Sequence, residues 1–272
     1  MNFGAARLGF WFRNVDRASK SKKVLVFYDP WTYVAIAQYD PNDGSIMYAV
    51  INNWYDYDVN PGNQVWPTLR DREIANGFEP ELVVGYDNLP ADMSQYAHIW
   101  DIGYCSPYAS NPTFNPTSKL QSYIVGGGAM FMLGENISLN QTFPGELPDY
   151  TRDNTITVFL GLLGSGIITM SQVDVPSATT IIQPQFLIVN NNNTLKTNRP
   201  GAYIGFGTGT AMTTPTITTA IDSAYPAIMW TTGKLTNAPL GAIISVLDIN
   251  FLVGGDIQAD FIDNLIASLN QR

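Results

Sequence analysis

The chain of 272 residues contains one cysteine, Cys105, and one histidine, His98. A single cysteine excludes an intrachain disulfide and a cysteine-built zinc site. A single histidine excludes any metal centre that needs several imidazoles. Charge is scarce as well: Asp, Glu, Lys and Arg make up 14% of residues, against about 25% in an average soluble domain. No run of eighteen apolar residues exists, so no membrane span is expected. The opening "MNFGAARLGFWFRN" breaks its apolar residues with Arg7 and Arg13 and lacks a clear cleavage site, which argues against a signal peptide. The expected location is the cytoplasm or an assembled particle.

Asn, Thr, Gly, Pro and Tyr take the place of the missing charge. Such a surface is kept in water by amides and hydroxyls, which suits an extended assembly or an extracellular setting better than a crowded cytosolic enzyme. The apolar fraction of 45% and aromatic fraction of 12% are ample for a large core. Net charge is −9 and unevenly spread. Residues 1–23 hold Arg7, Arg13, Arg17, Lys20, Lys22 and Lys23 with one acid, Asp16, leaving eight basic and twenty-two acidic residues for the rest. The body should therefore repel nucleic acid and anionic membrane. The basic arm could bind an acidic partner, including the body of a neighbouring copy. Nucleic acid would be reached only through that arm.

Along the chain, "KKVLVFYDP" (22–30) is a continuous apolar run of the kind buried on both faces of a parallel sheet. Residues 31–54 are consistent with a helical region interrupted by "DPNDGS" (40–45). That insert has calcium-loop composition, but its glycine falls one place early for an EF-hand, so a turn is expected. "ELVVGYDNLP" (81–90) and "YAHIWDIGY" (96–104) are further short strands, with a helix-start pattern in "PADMSQY" between them. "NPTSKLQSYIVGGG" (115–128) places Leu120, Tyr123 and Ile124 on one helical face and stops on glycines. "AMFMLGE" (129–135) is the fourth strand, and "TRDNTITVFLGLLGSG" (151–166) is a second well-formed helix. Strand and helix alternate, which implies right-handed crossovers and a mainly parallel three-layer sheet.

From about 167 to 240 the sequence turns β-branched, with Gly, Asn and Pro punctuation, and reads as antiparallel hairpins. "NNNN" (190–193) is a loop. The end returns to alternation: "GAIISVLDINFL" (241–252) is a strand, and "IQADFIDNLIASLNQ" (257–271) is an amphipathic helix with Phe261, Leu265, Ile266 and Leu269 on its apolar stripe. The expected organisation is a basic arm, 1–23, and one α/β domain, 24–272. The domain is a three-layer, flavodoxin-like sheet with the β-rich insertion before its closing strand and helix.

In their order, "VLVFYD", "LPADMSQYAHIWDIGY", "LQSYIVGGGAMFMLGEN" and "YPAIMW" with "GAIISVLDINFL" resemble the class I glutamine amidotransferase-like superfamily, including its ThuA-like and non-amidotransferase branches. The resemblance implies a cysteine on the turn after the fourth strand and a histidine with a carboxylate after a late strand. This chain has "LGENIS" and "VLDINF" there, so the triad is absent. Related domains serve as oligomerisation modules, and ThuA-like relatives imply a carbohydrate ligand as the alternative.

In a parallel sheet, ligands bind beyond the carboxyl ends of the strands. That rule brings Asp29, Asp101, Tyr104, Cys105, Glu135, Asn136, Asp248 and Asn250 to one rim. Asp101 and Glu135 could act as an acid–base pair, or with Asp248 hold a weak divalent cation. Short polar residues also end strands simply because they satisfy turn amides. Cys105 as a nucleophile would need His98, but alternation points His98 away from that rim, where a histidine held by hydrogen bonds is expected. The glycines 126–128 follow a helix and precede a strand, the reverse of a phosphate loop, so they are a helix stop. The aromatic cluster "NNWYDYDVN" (52–60) could stack a sugar or a base, or cover a core edge. No cofactor and no metal is expected. The functional expectation is a non-catalytic binding and assembly protein, a structural component of a larger particle such as a phage virion. The alternative is a hydrolase or small-molecule binder that uses the carboxylate rim.

Overall fold

The computed structural model describes residues 21–28, 37–39, 46–49, 65–85, 88–102, 116–134, 152–172, 178–197, 201–218, 223–247, 251–252 and 258–271. The elements in chain order are β1 (Lys23–Tyr28), β2 (Ala37–Tyr39), β3 (Ile46–Ala49), α1 (Val65–Ala75), β4 (Glu79–Val84), β5 (His98–Asp101), α2 (Pro116–Val125) and β6 (Ala129–Leu133). There follow α3 (Arg152–Leu162), β7 (Ile168–Gln172), β8 (Ala178–Ile181), β9 (Thr194–Thr197), β10 (Gly201–Phe206), β11 (Thr210–Ala211), β12 (Ile217–Thr218) and β13 (Ser223–Ala224). β14 (Ala227–Trp230), β15 (Ala242–Val246) and α4 (Ala259–Asn270) close the chain.

Seven strands form one sheet in the order β11-β14-β15-β6-β5-β1-β4. β4, β1, β5, β6 and β15 run parallel, while β14 and β11 are added antiparallel at one edge. Numbered along the chain, the parallel strands lie 2-1-3-4-5, the flavodoxin-like order, with its switch point between β1 and β5. The central strands are buried on both faces, β6 as an uninterrupted apolar run, β15 with Ser245 as its one polar residue, and β5 with His98 and Asp101 at its two ends. Val24, Val26, Trp100, Phe131 and Ile244 face α1 and α4, and Leu25, Phe27, Ile99, Met130 and Ile243 face α2 and α3. The result is the three-layer α/β architecture expected from the alternating sequence.

Two helix ends show how glycine sets the connections. In α2, Gly128 N donates to Tyr123 O at 2.9 Å and Gly127 N to Ile124 O at 2.9 Å, while Gly127 adopts φ 93°. This is a Schellman stop, in which a left-handed residue lets the last carbonyls find donors. A side chain at Gly128 would run into the Tyr123 ring, so only glycine fits where the chain turns into β6. α3 ends the same way, with Ser165 N on Leu160 O and Gly164 at φ 79°.

The β-rich stretch divides between the two faces. β7 and β10 pair antiparallel beside α3, with Tyr203 buried in that layer. β8 and β9 pair on the other face, where Ile182, Phe186 and Leu195 join the core. Residues 190–193 lie in the loop between β8 and β9. The polar side of α4 is not solvated: Asn264 Oδ1 accepts from the backbone N–H of Ile188, Val189 and Asn190, and Asp263 takes Arg72, Asn76 and Asn190.

Three expectations need correction. Residues 37–39 and 46–49 are not helical; they pair antiparallel as two short strands, in keeping with the strand preference of Tyr39, Ile46 and Tyr48. "PADMSQY" does not start a helix. Asp92 Oδ1 instead accepts from Ser94 N at 2.9 Å and Ser94 Oγ at 2.6 Å, closing a local turn that competes with helix. α1 is an additional helix. Its buried stripe runs Val65, Leu69, Glu73, so its third core position is a carboxylate.

Candidate functional site

Parallel pairing places the carboxyl ends of β4, β1, β5, β6 and β15 along one rim. Asp101 ends β5 at the switch point, in register with Phe27 of β1 and Met132 of β6. It is fully buried. A carboxylate there is placed where open α/β sheets bind ligands, and it has the chemistry to accept donors or move a proton. Asp29, Tyr104, Cys105, Glu135, Asn136, Asp248 and Asn250 lie outside the described residues, as do the aromatic cluster 52–60 and the basic residues Arg7, Arg13, Arg17 and Lys20. Lys22 and Lys23 are described. Lys23 opens β1 and its Nζ donates to Gln95 Oε1 at 3.3 Å, while Lys22 O accepts from Glu79 N, so both belong to the sheet's amino edge.

His98 opens β5 at the opposite end of the sheet and on the α1/α4 face. It is fully buried, as are Glu73 and Trp100. Asn270 Nδ2 donates to Ile266 O at 2.7 Å, which fixes its amide orientation, and the same nitrogen lies 3.3 Å from His98 Nδ1. His98 Nδ1 is therefore an acceptor and Nε2 carries the proton. Nε2 donates to Glu73 Oε1 at 2.7 Å, and Trp100 Nε1 donates to the same oxygen at 2.6 Å. Phe78 closes the ring's edge, with centroids 5.0 Å apart. Glu73 Oε2 is buried and unpartnered. Sequence reasoning foresaw a hydrogen-bonded histidine but not its acceptor. The available signal was an acid at the i+8 position of an otherwise apolar helical stripe.

Asn270 also lines a groove of about 820 Å³ at the amino ends of the strands, together with Ser94, Ser122, the 126–128 glycines and Thr232. Its two nearest charges are already engaged: Lys119 Nζ donates to Leu89 O at 2.7 Å, and Ser94 holds the Asp92 carboxyl below its ordinary range through its hydroxyl and then its backbone N–H. Tyr96 Oη, beneath the groove, donates to Glu81 Oε1. Burial and then the neighbouring Glu81 carboxylate push the Tyr96 phenol well above its usual value.

These features define an α/β protein with a flavodoxin-like sheet and a buried histidine far from the strand-end rim. Solved structures with this fold include a ThuA-like protein from Bacteroides uniformis, at 11% identity and a TM-score of 0.52, covering 99% of this chain and 94% of that one. A cytoplasmic protein from Salmonella typhimurium LT2 matches at 12% identity and a TM-score of 0.54, covering 91% and 99%. The mmIFT52 N-terminal domain matches at 9% identity and a TM-score of 0.51, covering 91% and 98%. The ThuA-like neighbour agrees with the fold that the sequence resemblance implies. No family model and no curated protein matches the chain. Among the described residues, no helix is long and apolar enough to cross a membrane.

Proposed function

We propose that this chain is a non-catalytic binding and assembly protein on an amidotransferase-like fold, a structural component of a larger particle such as a phage virion. One observation carries the reading. Acyl chemistry of the Cys–His type needs an imidazole base at the rim, and the chain's only histidine is walled into the core, its Nε2 committed to Glu73. The low-charge surface and the charge split between arm and body add to it. The basic arm, Arg7, Arg13, Arg17, Lys20, Lys22 and Lys23, and the acidic body are complementary, so a second copy or another acidic protein is a suitable partner. The test is mass in solution and in the native source. A stable assembly agrees with the proposal; a strict monomer with no retained partner contradicts it.

A second reading rests on Asp101, a buried carboxylate at the β1/β5 switch point. It makes the rim a small-molecule site. Asp101→Asn should then abolish ligand binding while the fold persists, and retained binding would end this reading.

A further inference from the structure

Among the described residues β4 is an open edge of the sheet, and its backbone carries a self-complementary pattern. Glu79 N donates to Lys22 O of the neighbouring chain segment at 2.7 Å. Residues alternate along a strand, so Glu79, Glu81 and Val83 direct their N–H and C=O groups to β1. Pro80, Leu82 and Val84 direct theirs outward. Among the described residues, no strand pairs with that outer side, because β4 ends the sheet order. Pro80 has no N–H to offer there, which is why it is tolerated on an edge. Val84 O is already occupied, accepting from Asn88 Nδ2 at 2.8 Å. The outward groups left to pair are the N–H of Leu82 and Val84 and the carbonyls of Pro80 and Leu82.

We propose that two copies of this chain pair antiparallel through β4, about a twofold axis passing beside Leu82. In an antiparallel ladder, directly opposed residues exchange both bonds, and the next such pair lies two residues on. Leu82 then exchanges bonds with Leu82 of the second copy. Val84 N–H of each copy donates to Pro80 O of the other. The one bond that Pro80 cannot donate would have gone to Val84 O, the carbonyl that Asn88 satisfies internally. Every outward group is matched and none is left over.

Other centres fail. Centring on Pro80 opposes two residues without N–H groups, and centring on Val84 directs two N–H groups at carbonyls that Asn88 holds.

The side chains agree with this register. Pro80, Leu82 and Val84 share one face, where Leu82, like Phe78 and Trp66, is partly buried against the margin of the core and Val84 is 38% exposed. Across the twofold they form a continuous apolar row. On the other face Glu81 lies opposite Val83 and not opposite its own copy, so like charges do not meet directly. Glu81 is further held by Tyr96. A closed, isologous contact of this kind is the commonest form of self-association.

The pairing rests on the assembly reading only for its biological purpose, and its test is separate. Sedimentation of the full chain over about a hundred-fold range of concentration should show a dimer that grows with concentration. Val84→Pro and Leu82→Pro each remove an outward N–H and leave the ladder to β1 intact. Each should return the protein to monomer with its circular dichroism unchanged.

A wild-type monomer throughout, or a dimer that survives both substitutions, overturns the pairing. The second result leaves the assembly reading standing, whereas a partnerless monomer removes both. Should the variants fail to fold, amide exchange on the wild-type chain decides. Leu82 and Val84 must gain protection as concentration rises while Glu81 and Val83 stay protected throughout. Concentration-independent exchange at Leu82 and Val84 would overturn it.

Discussion

Tyr203 Oη donates a 2.6 Å hydrogen bond to Ser245 Oγ inside the protein, tying the β-rich stretch to the parallel sheet. Both residues are fully buried. Tyr203 comes from β10 and Ser245 from β15, so a buried polar contact joins elements 42 positions apart. The Trp230 ring stacks edge-on against Tyr203, with centroids 5.8 Å apart.

Tyr203→Phe keeps the ring and strands the Ser245 hydroxyl. A buried polar group that loses its partner costs about 1–3 kcal/mol. Urea unfolding should shift to lower denaturant by that amount with an unchanged slope. Tyr203→Phe combined with Ser245→Ala should recover most of the loss, because neither polar group then remains.

At Glu73, charge and hydrogen bonding can be separated. Glu73→Gln retains an oxygen able to accept from His98 and Trp100 and leaves only its amide nitrogen unmatched at the buried Oε2 position, so it should destabilise clearly less than Glu73→Leu. Glu73→Leu leaves both donors unsatisfied in the core and should destabilise by roughly 2–5 kcal/mol. Thermal melts of the two variants check this, and equal losses would show that the hydrogen bonds are not what Glu73 contributes.

The pattern of what could be read from sequence follows from where side chains end up. "VLVF", "AMFML" and "AIISV" were legible as strands because burial on both faces leaves an uninterrupted apolar run. α4 was legible through Phe261, Leu265, Ile266 and Leu269, all of them buried. Its other face was not: Asp263 and Asn264 look solvated in sequence, yet they clamp Arg72 and the 188–190 backbone. α1 was hidden because Glu73 interrupts its apolar stripe, and β2 and β3 because three- and four-residue strands carry too little period. Asp101 could be placed at the rim from its position at a strand end. The partnership of His98 with Glu73 spans 25 positions and exists only once α1 is laid against β5.

Tyr96 makes stability depend on alkaline pH. Its folded-state value is raised, by burial first and by Glu81 second, so folding favours the protonated phenol. That contribution is fully present below the unfolded tyrosine value of about 10 and is lost as pH rises from there toward the folded value. The melting temperature of the wild-type chain should therefore fall more steeply above about pH 10 than that of Tyr96→Phe. Parallel curves would contradict the assignment.

The reading of this fold as one that holds and assembles depends on its only imidazole being locked away from the rim. The direct measurement is the long-range nitrogen–proton NMR spectrum of His98, unambiguous in a chain with one histidine. The account predicts one fixed tautomer in the native protein, with a protonated Nε2 and an acceptor Nδ1, unchanged by any rim substitution such as Asp101→Asn. An imidazole that averages between tautomers or responds to Asp101→Asn would contradict it.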